Sequence, residues 1–493
     1  MMHNALTRFL STQSPARYGA AMLAAGTVSI TVALTTITGC NGVIDSTPEG
    51  VTRIEIWQGF NAEETTVLNE ILAEYETAWE KENGGDLQIN VQYVSFGDMF
   101  TKLRTAALAK STPDIAFIDS IKVTDLAFGE ALLPLNKLDS FNARYDSLED
   151  ARTEFVTASF NAGVINRLGE VNLYGLPVQT TTVALFWNRE MFRRQSADLR
   201  AAGLDPNRAP QNWDELAQYA QILTNPTENR YGYGAHRSMW FNFPIFNMYG
   251  MEFVEYGPNG EVIEAFNTEQ GKAALVRLQT LATSDYEGGA WKQSGSSPDE
   301  GFINSRYAMI LTGPWQVTNF ANAGVDFDIS LIPAPTDEEI NNLNLQPIDA
   351  ELVAEIGNAG YTSSNVGGQT GVILKMSENP DVAFEIIEHF TSETVQRRWA
   401  SGLGQIPVRK AAWKDLDMSA YPYMKTFMQQ IRTSKRIPQI PYYGILESDI
   451  FNPQIDLLLR DQLTPEDMLT RMEKGFKERI LVKINTRQKT PAD

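Results

Sequence analysis

A chain of 493 residues is too long for one small hydrophobic core, so two or three domain-sized units are expected. Its composition, 43% hydrophobic, 10% aromatic and 21% charged, is that of a globular protein and excludes a fibrous or disordered one. A net charge of −20 argues against nucleic acid and anionic lipid as partners, because both repel an acidic surface.

Before residue 40 the only Lys, Arg, Asp or Glu side chains are Arg8 and Arg17. Ala20 to Ile37 is an uncharged apolar run that ends in Ile37-Thr38-Gly39-Cys40. By itself the run suits a membrane anchor. The small residues leading into a lone cysteine resemble the bacterial lipoprotein signal, in which that cysteine becomes the lipidated first residue. Residues 1–39 are therefore expected to be a signal peptide, Cys40 a lipidation site, and 40–50 a polar tether. Export, with anchoring to the cell membrane by lipid alone and the domain on its periplasmic or extracellular face, follows. Cys40 is the only cysteine, so no disulfide, thiol nucleophile or thiolate metal site is expected.

From Val51 onward the apolar pattern alternates between periods of two and of 3.6 residues. Ile54 and Ile56 mark a first strand, followed by the loop Gln58-Gly59-Phe60-Asn61. Val67, Leu68, Ile71, Leu72, Tyr75 and Trp79 give one apolar helix face, closed by Asn83-Gly84-Gly85. Leu87, Ile89, Val91 and Tyr93 alternate as a second strand. Asp98 is the expected cap of a helix running to Lys110. Asp114 to Ile118 is a short buried strand with Asp119-Ser120 at its carboxyl end. A β-α-β-α-β-α order predicts a parallel sheet with ligands outside the carboxyl ends of its strands.

Leu173 to Phe192 carries a turn, a polar patch from Gln179 to Thr182, an apolar strand from Val183 to Trp187, and Asn188 at a helix start. Threonine hydroxyls inside a strand-forming run need partners, so this patch reads either as a solvated strand face or as a crossover lining a cleft. Asn212-Trp213-Asp214-Glu215 reads as a capping box, and Tyr231 to Gly250 as an aromatic-rich loop. Phe302 to Trp315 reads as helix end, strand and Gly-Pro turn. Phe327 to Pro335 is a strand, and Asp337 to Gln369 an acidic loop. Thr370 to Lys375 is a strand, Asn379-Pro380 opens a helix, and Thr464-Pro465 opens the last long one.

Four segments in order resemble the extracellular solute-binding proteins of ABC importers, specifically the family 1 sugar-binding group that includes maltose-binding protein. They are Pro113 to Leu135, Tyr174 to Phe192, Phe302 to Trp315, and Gly367 to Pro407. Two departures stand out: Asn212 where the family has Ser or Thr, and an extra loop at 337–369. The resemblance implies a two-lobe α/β fold of the periplasmic-binding-protein type II, mainly parallel sheets flanked by helices. Lobe one would be 51–178 with 333–391, and lobe two 182–331 with 392–493, hinged near 179–181, 332 and 391. It further implies capture of a sugar or oligosaccharide between the lobes and delivery to ABC permease subunits by a monomer without cofactor. Which sugar is carried stays open, and glycerol phosphates or other polyols stay as alternatives, since Arg237, Lys292 and Arg306 lie near the expected cleft segments.

A sugar offers an apolar ring face and a rim of hydroxyls, which call for aromatic rings and fixed polar groups. Trp57, Gln58 and Asn61 follow the first strand, and Asp119 and Ser120 the third, at strand ends that would face the cleft. Gln179, Thr180 and Thr181 form the crossover. Trp315, after its Gly-Pro turn, is the expected stacking residue by family resemblance. Trp240 reads equally as contact or packing, and one of Tyr442 and Tyr443 is expected to touch ligand. Gly367-Gly368 is either a plain turn or a close backbone approach. Trp79 and Trp213 read as core.

A secreted glycoside hydrolase is the main alternative. It needs paired carboxylates, and 61 Asp and Glu make candidate pairs unavoidable and uninformative. No Gly-x-Ser-x-Gly or His-Glu-x-x-His motif occurs, and past the signal only His236 and His389 remain, so neither an enzyme nor a metal site is expected. A purely structural lipoprotein is a weaker third reading.

Overall fold

The computed structural model describes residues 50–484 apart from 168, 258–260 and 293. The expected signal peptide, Cys40 and nearly all of the tether lie outside the described residues.

The first half follows the β-α-β pattern read from its periodicity. Strand β1 (Val51–Gln58) leads to helix α1 (Ala62–Asn83), strand β2 (Asp86–Tyr93), helix α2 (Phe96–Ala109), strand β3 (Ile115–Asp119) and helix α3 (Val123–Phe128). Gly84 closes α1 in the left-handed region at φ 70°, as its place after Asn83 suggested. Helix α2 starts at Ser95, whose side chain accepts from the Asp98 amide; Asp98 sits one turn in and is not the cap.

Strands β1, β2 and β3 are parallel, with β1 in the middle. Two later segments complete this sheet: strand β9 (Gln369–Ile373), antiparallel to β3, and at the edge strand β4 (Leu176–Pro177), antiparallel to β9 and so aligned with β3. Between them in sequence lie strand β5 (Ala184–Asn188), helix α4 (Met239–Met248), strand β6 (Met309–Thr312), strand β7 (Phe327–Ser330) and strand β8 (Ser364–Val366). Strands β6, β5 and β7 form a second sheet in which every pairing is antiparallel. The first sheet is thus mainly parallel, as expected, with β1, β2, β3 and β4 running one way and β9 alone reversed, while the second sheet is antiparallel.

Strand parity sorts the core. Ile115, Phe117 and Ile373 face α1 and the helix Pro380–Phe390, while Ala116, Ile118 and Val372 face α2 and α3. In the second sheet Ala184 and Phe186 join Phe302, Phe320 and Phe427, whereas Leu185 and Trp187 join Phe192, Trp213 and Phe246. Each sheet is therefore covered by apolar layers on both faces, giving the two-lobe arrangement. Trp213 is fully buried and Trp79 packs on the first core.

Three sequence boundaries move. Asn212 caps its helix, but Glu215 bonds the Gln211 amide and the Arg208 guanidinium rather than reaching back to Asn212. Residues 337–369 are no plain loop: they hold helices Asp337–Asn342 and Ala350–Ile356 and strand β8. Thr391 is not a crossing. The helix after it, Glu393–Leu403, places Val395 and Trp399 in the first core, and Arg409 donates to the buried Thr391 carbonyl at 2.7 Å. An i, i+4 apolar pair aimed at α1 keeps that segment with the first sheet.

Candidate functional site

The site grows from the crossover between β4 and β5. Val178 and Gln179 both donate their amides to the Gln369 carbonyl, at 2.9 and 3.1 Å, and Gln369 returns one to Gln179 at 3.1 Å. Thr181 and Gly367 exchange a reciprocal pair at 3.0 Å. Gly368, at φ +120°, sits where an added Cβ would lie 2.1 Å from the Gln179 carbonyl oxygen. Only glycine meets both demands, so Gly368 serves the close approach of two backbone segments of the protein. The Gly368 carbonyl accepts from the Ser120 amide at 3.1 Å, and Asp119 lies opposite Gln369 in the ladder. Asp119, Gln369 and Gln179 thus stand side by side on three adjacent segments.

Around this strip polar groups gather. Glu64 Oε1 accepts from Gln179 Nε2 at 3.0 Å and from Gln405 Nε2 at 3.1 Å. Its other oxygen accepts the Asn61 amide at 2.9 Å. Burial pushes the Glu64 carboxyl up, against those hydrogen bonds. Burial likewise pushes Asp119 up to about 6; the Ile121 amide and Lys122 oppose this, and Glu447 adds to it. Glu447 is itself raised by burial, and with Asp119 it raises the buried Tyr443 phenol. The Gln369 Oε1 and Thr181 Oγ1 atoms, both buried, make no hydrogen bond among the described residues.

Aromatic rings cover the strip. Trp240 lies in the first turn of α4, not in a loop, and its indole rests on Gly367: an added Cβ there would be 2.1 Å from the ring. The next residue, Phe241, stacks on His236 with ring centres 3.7 Å apart and meets Trp315 edge-on at 6.4 Å. His236 Nε2 donates to the Leu311 carbonyl at 2.9 Å, and burial pushes this ring down to about 3, so it is neutral above that range. Trp315 follows Gly313-Pro314 and keeps 43% of its surface exposed. An exposed indole beside two further rings is a ready stacking surface.

Other expected contacts serve the fold. Trp57 points away from the Ile54–Ile56 face, is 9% exposed, and packs under α2 with Lys102 over its ring. Gln58 is fully buried, accepting the Phe60 amide and donating to Thr65. Asn61 caps α1. Thr180 is fully buried, its hydroxyl 2.6 Å from that of Ser159. Tyr443 is core, while Tyr442 lines a separate cavity of about 750 Å³ with Phe100, Phe128 and Asp125. Sequence reasoning missed Glu64, Gln405 and Gln369. Glu64 carried a capping signal, three residues after Asn61, and nothing in the sequence pointed its second oxygen at the crossover.

Among the described residues no group of three or more His, Cys, Asp or Glu is placed to hold a metal ion, and no helix is long and apolar enough to cross a membrane.

The family model described as bacterial extracellular solute-binding protein matches residues 71–426, more than half of the chain. A maltotriose-binding protein of Pyrococcus abyssi is 20% identical over 312 residues, 62% of this chain; the chain spans only 59% of that relative's length. The sn-glycerol-3-phosphate-binding periplasmic protein UgpB of Escherichia coli O1:K1 is 24% identical over 356 residues, 67% of this chain and 73% of its own. In structure, the cyclic alpha-maltosyl-1,6-maltose binding protein of Arthrobacter globiformis matches with TM-score 0.70 at 21% identity, over 88% of this chain and all of its own. The sugar-binding protein MalE of Xanthomonas citri matches with TM-score 0.68 at 19% identity, over 90% of this chain and all of its own.

Proposed function

We propose a function that proceeds from one premise, that the chain belongs to the bacterial extracellular solute-binding protein family: it captures a neutral oligosaccharide between its lobes for an ABC importer. One observation carries this reading. The Trp240 ring lies on Gly367, whose backbone pairs with Thr181 of the crossover; the adjoining Gln179 bonds Glu64, which also holds Gln405, and the exposed Trp315 meets Phe241, the residue after Trp240. Rings for a sugar face and amides and carboxylates for its hydroxyls are what an oligosaccharide needs. The unmatched Gln369 Oε1 and Thr181 Oγ1 are acceptors suited to sugar hydroxyls.

The charge of the strip favours a neutral ligand over a glycerol phosphate. Glu64, Asp119 and Glu447 outnumber Lys122 there, and an anion would be repelled. A hydrolase is the less economical reading, because the relatives that match are named as binding proteins.

Titration calorimetry with maltotriose, maltotetraose, a galactooligosaccharide and sn-glycerol 3-phosphate tests this. An oligosaccharide is expected to bind, shift the intrinsic tryptophan fluorescence and be recovered intact. Tight binding of the phosphate alone, or shortened saccharide, overturns the reading. Ligand bridging the lobes would select a closed form that docks on the permease; identical scattering profiles with and without bound saccharide would refute closure. Lipidation at Cys40 would hold the monomer at the membrane, and a Cys40→Ala chain should lose incorporated labelled palmitate.

A further inference from the structure

A second cavity of 720 Å³ lies against the crossover but away from the site above. Its walls include Val156, Ala158, Trp413 and Ile431, which share one core cluster, and Met251 and Phe253 from another. None of the candidate sugar-site residues lines it. It reaches the crossover through Ser434, whose hydroxyl is 2.9 Å from that of Thr182. The volume falls in the range of small-molecule pockets, roughly 300–1,000 Å³.

The charges on its wall are unequal in a way the fold does not require. Lys435 pairs with Glu252, and Arg432 with Asp349. Lys410 and Arg436 form no ion pair among the described residues. Lys410 Nζ donates to the Thr153 carbonyl and the Thr157 hydroxyl at 3.2 and 3.3 Å. Arg436 donates from Nη1 to the Asn161 carbonyl and Gln439 Oε1, at 3.0 and 2.7 Å. Thr157 and Asn161 are one turn apart on the helix Thr157–Gly163, so the two cations are held at neighbouring points of one face. Lys410, Arg432, Lys435 and Arg436 face this pocket against only Glu252 and Asp349, an excess of positive charge on a chain of net charge −20.

We infer that this cavity is a second ligand site, taking a small amphipathic anion: an apolar body against Phe253, Met251 and Trp413, and an acidic group on Lys410 and Arg436. This reading stands apart from the sugar proposal and needs no particular sugar.

The full exported chain, titrated with 1-anilinonaphthalene-8-sulfonate and followed by fluorescence, tests it, with the uncharged N-phenyl-1-naphthylamine as control. One saturable sulfonate site per chain is expected. Lys410→Ala and Arg436→Ala should each weaken it about tenfold, as loss of one charge-assisted hydrogen bond does. Thr157→Trp, at an exposed lining position, should block it. Thermal unfolding establishes that each variant is folded, and Lys410→Gln replaces any that is not. Absence of a saturable site, affinity unchanged in the variants, or equal affinity for the uncharged probe overturns the inference.

Discussion

Glu64 Oε1 accepts a hydrogen bond from Gln179 Nε2 at 3.0 Å across 115 residues of sequence. That contact ties the first turn of α1 to the crossover, and the Gln405 amide completes it. A single carboxylate therefore both caps a helix and anchors the strip on which the candidate site is built.

Glu64→Gln should weaken the crossover anchor while leaving the cap oxygen in place. A loss of about 1.5–3 kcal/mol in urea unfolding is expected, the range for a hydrogen bond to a charged group. Gln179→Ala removes the same hydrogen bond from the other side, so it should cost a comparable amount of stability and in addition reduce saccharide affinity, which calorimetry on the folded variant reads.

Three tryptophans give a contrast. Trp315→Ala removes a half-exposed ring, so stability should change by less than about 1 kcal/mol, while oligosaccharide affinity falls by about tenfold or more. Trp57→Ala and Trp213→Ala remove buried rings and should cost about 3–5 kcal/mol each. Equal affinity in Trp315→Ala and the parent chain would remove that ring from the site.

Gly367→Ala places a methyl carbon 2.1 Å from the Trp240 ring, so the indole must move. The expected result is a folded chain with weakened saccharide binding and an altered near-ultraviolet spectrum. Unchanged binding would show that Trp240 only packs.

Two groups set opposing pH dependences. Asp119 stands at about 6 against an ordinary 3.8, so the folded chain holds its proton more tightly. Its stabilising contribution is full below the ordinary value and is lost as pH rises through about 6. Asp119→Asn should therefore melt higher than the parent at pH 7.5, and the gap should close by pH 4. His236 stands at about 3 against 6.5, so its contribution is present above 6.5 and is lost as pH falls toward 3. His236→Asn should flatten that acid limb, and thermal melts across pH separate the two.

Arg409 is 4% exposed and bonds Glu154, Glu388 and the Thr391 carbonyl. Arg409→Met leaves Glu154 and Glu388 with Arg144 as their remaining cation and the Thr391 carbonyl without this donor, and should cost about 3 kcal/mol in chemical unfolding, the low end for a broken buried pair. A smaller loss would mean that solvent reaches the pair.

Local chemistry alone determined much of this molecule. Period-two and period-3.6 patterns located the first three strands and α1, because a side chain's burial there follows directly from its parity. Asn212, Gly84 and Thr464 marked helix ends through backbone needs that any chain shares. The crossover from Gln179 to Thr181 was legible because unpartnered hydroxyls stand out in an apolar run. What only the tertiary structure decided was the direction in which each polar atom is spent. Trp57 turned inward by the parity of β1, Asn61 was consumed by a cap, and Glu64 reached a partner 115 positions away. Those outcomes depend on strands brought together through space, and hydrogen bonds between distant segments leave no periodic trace in the order of residues.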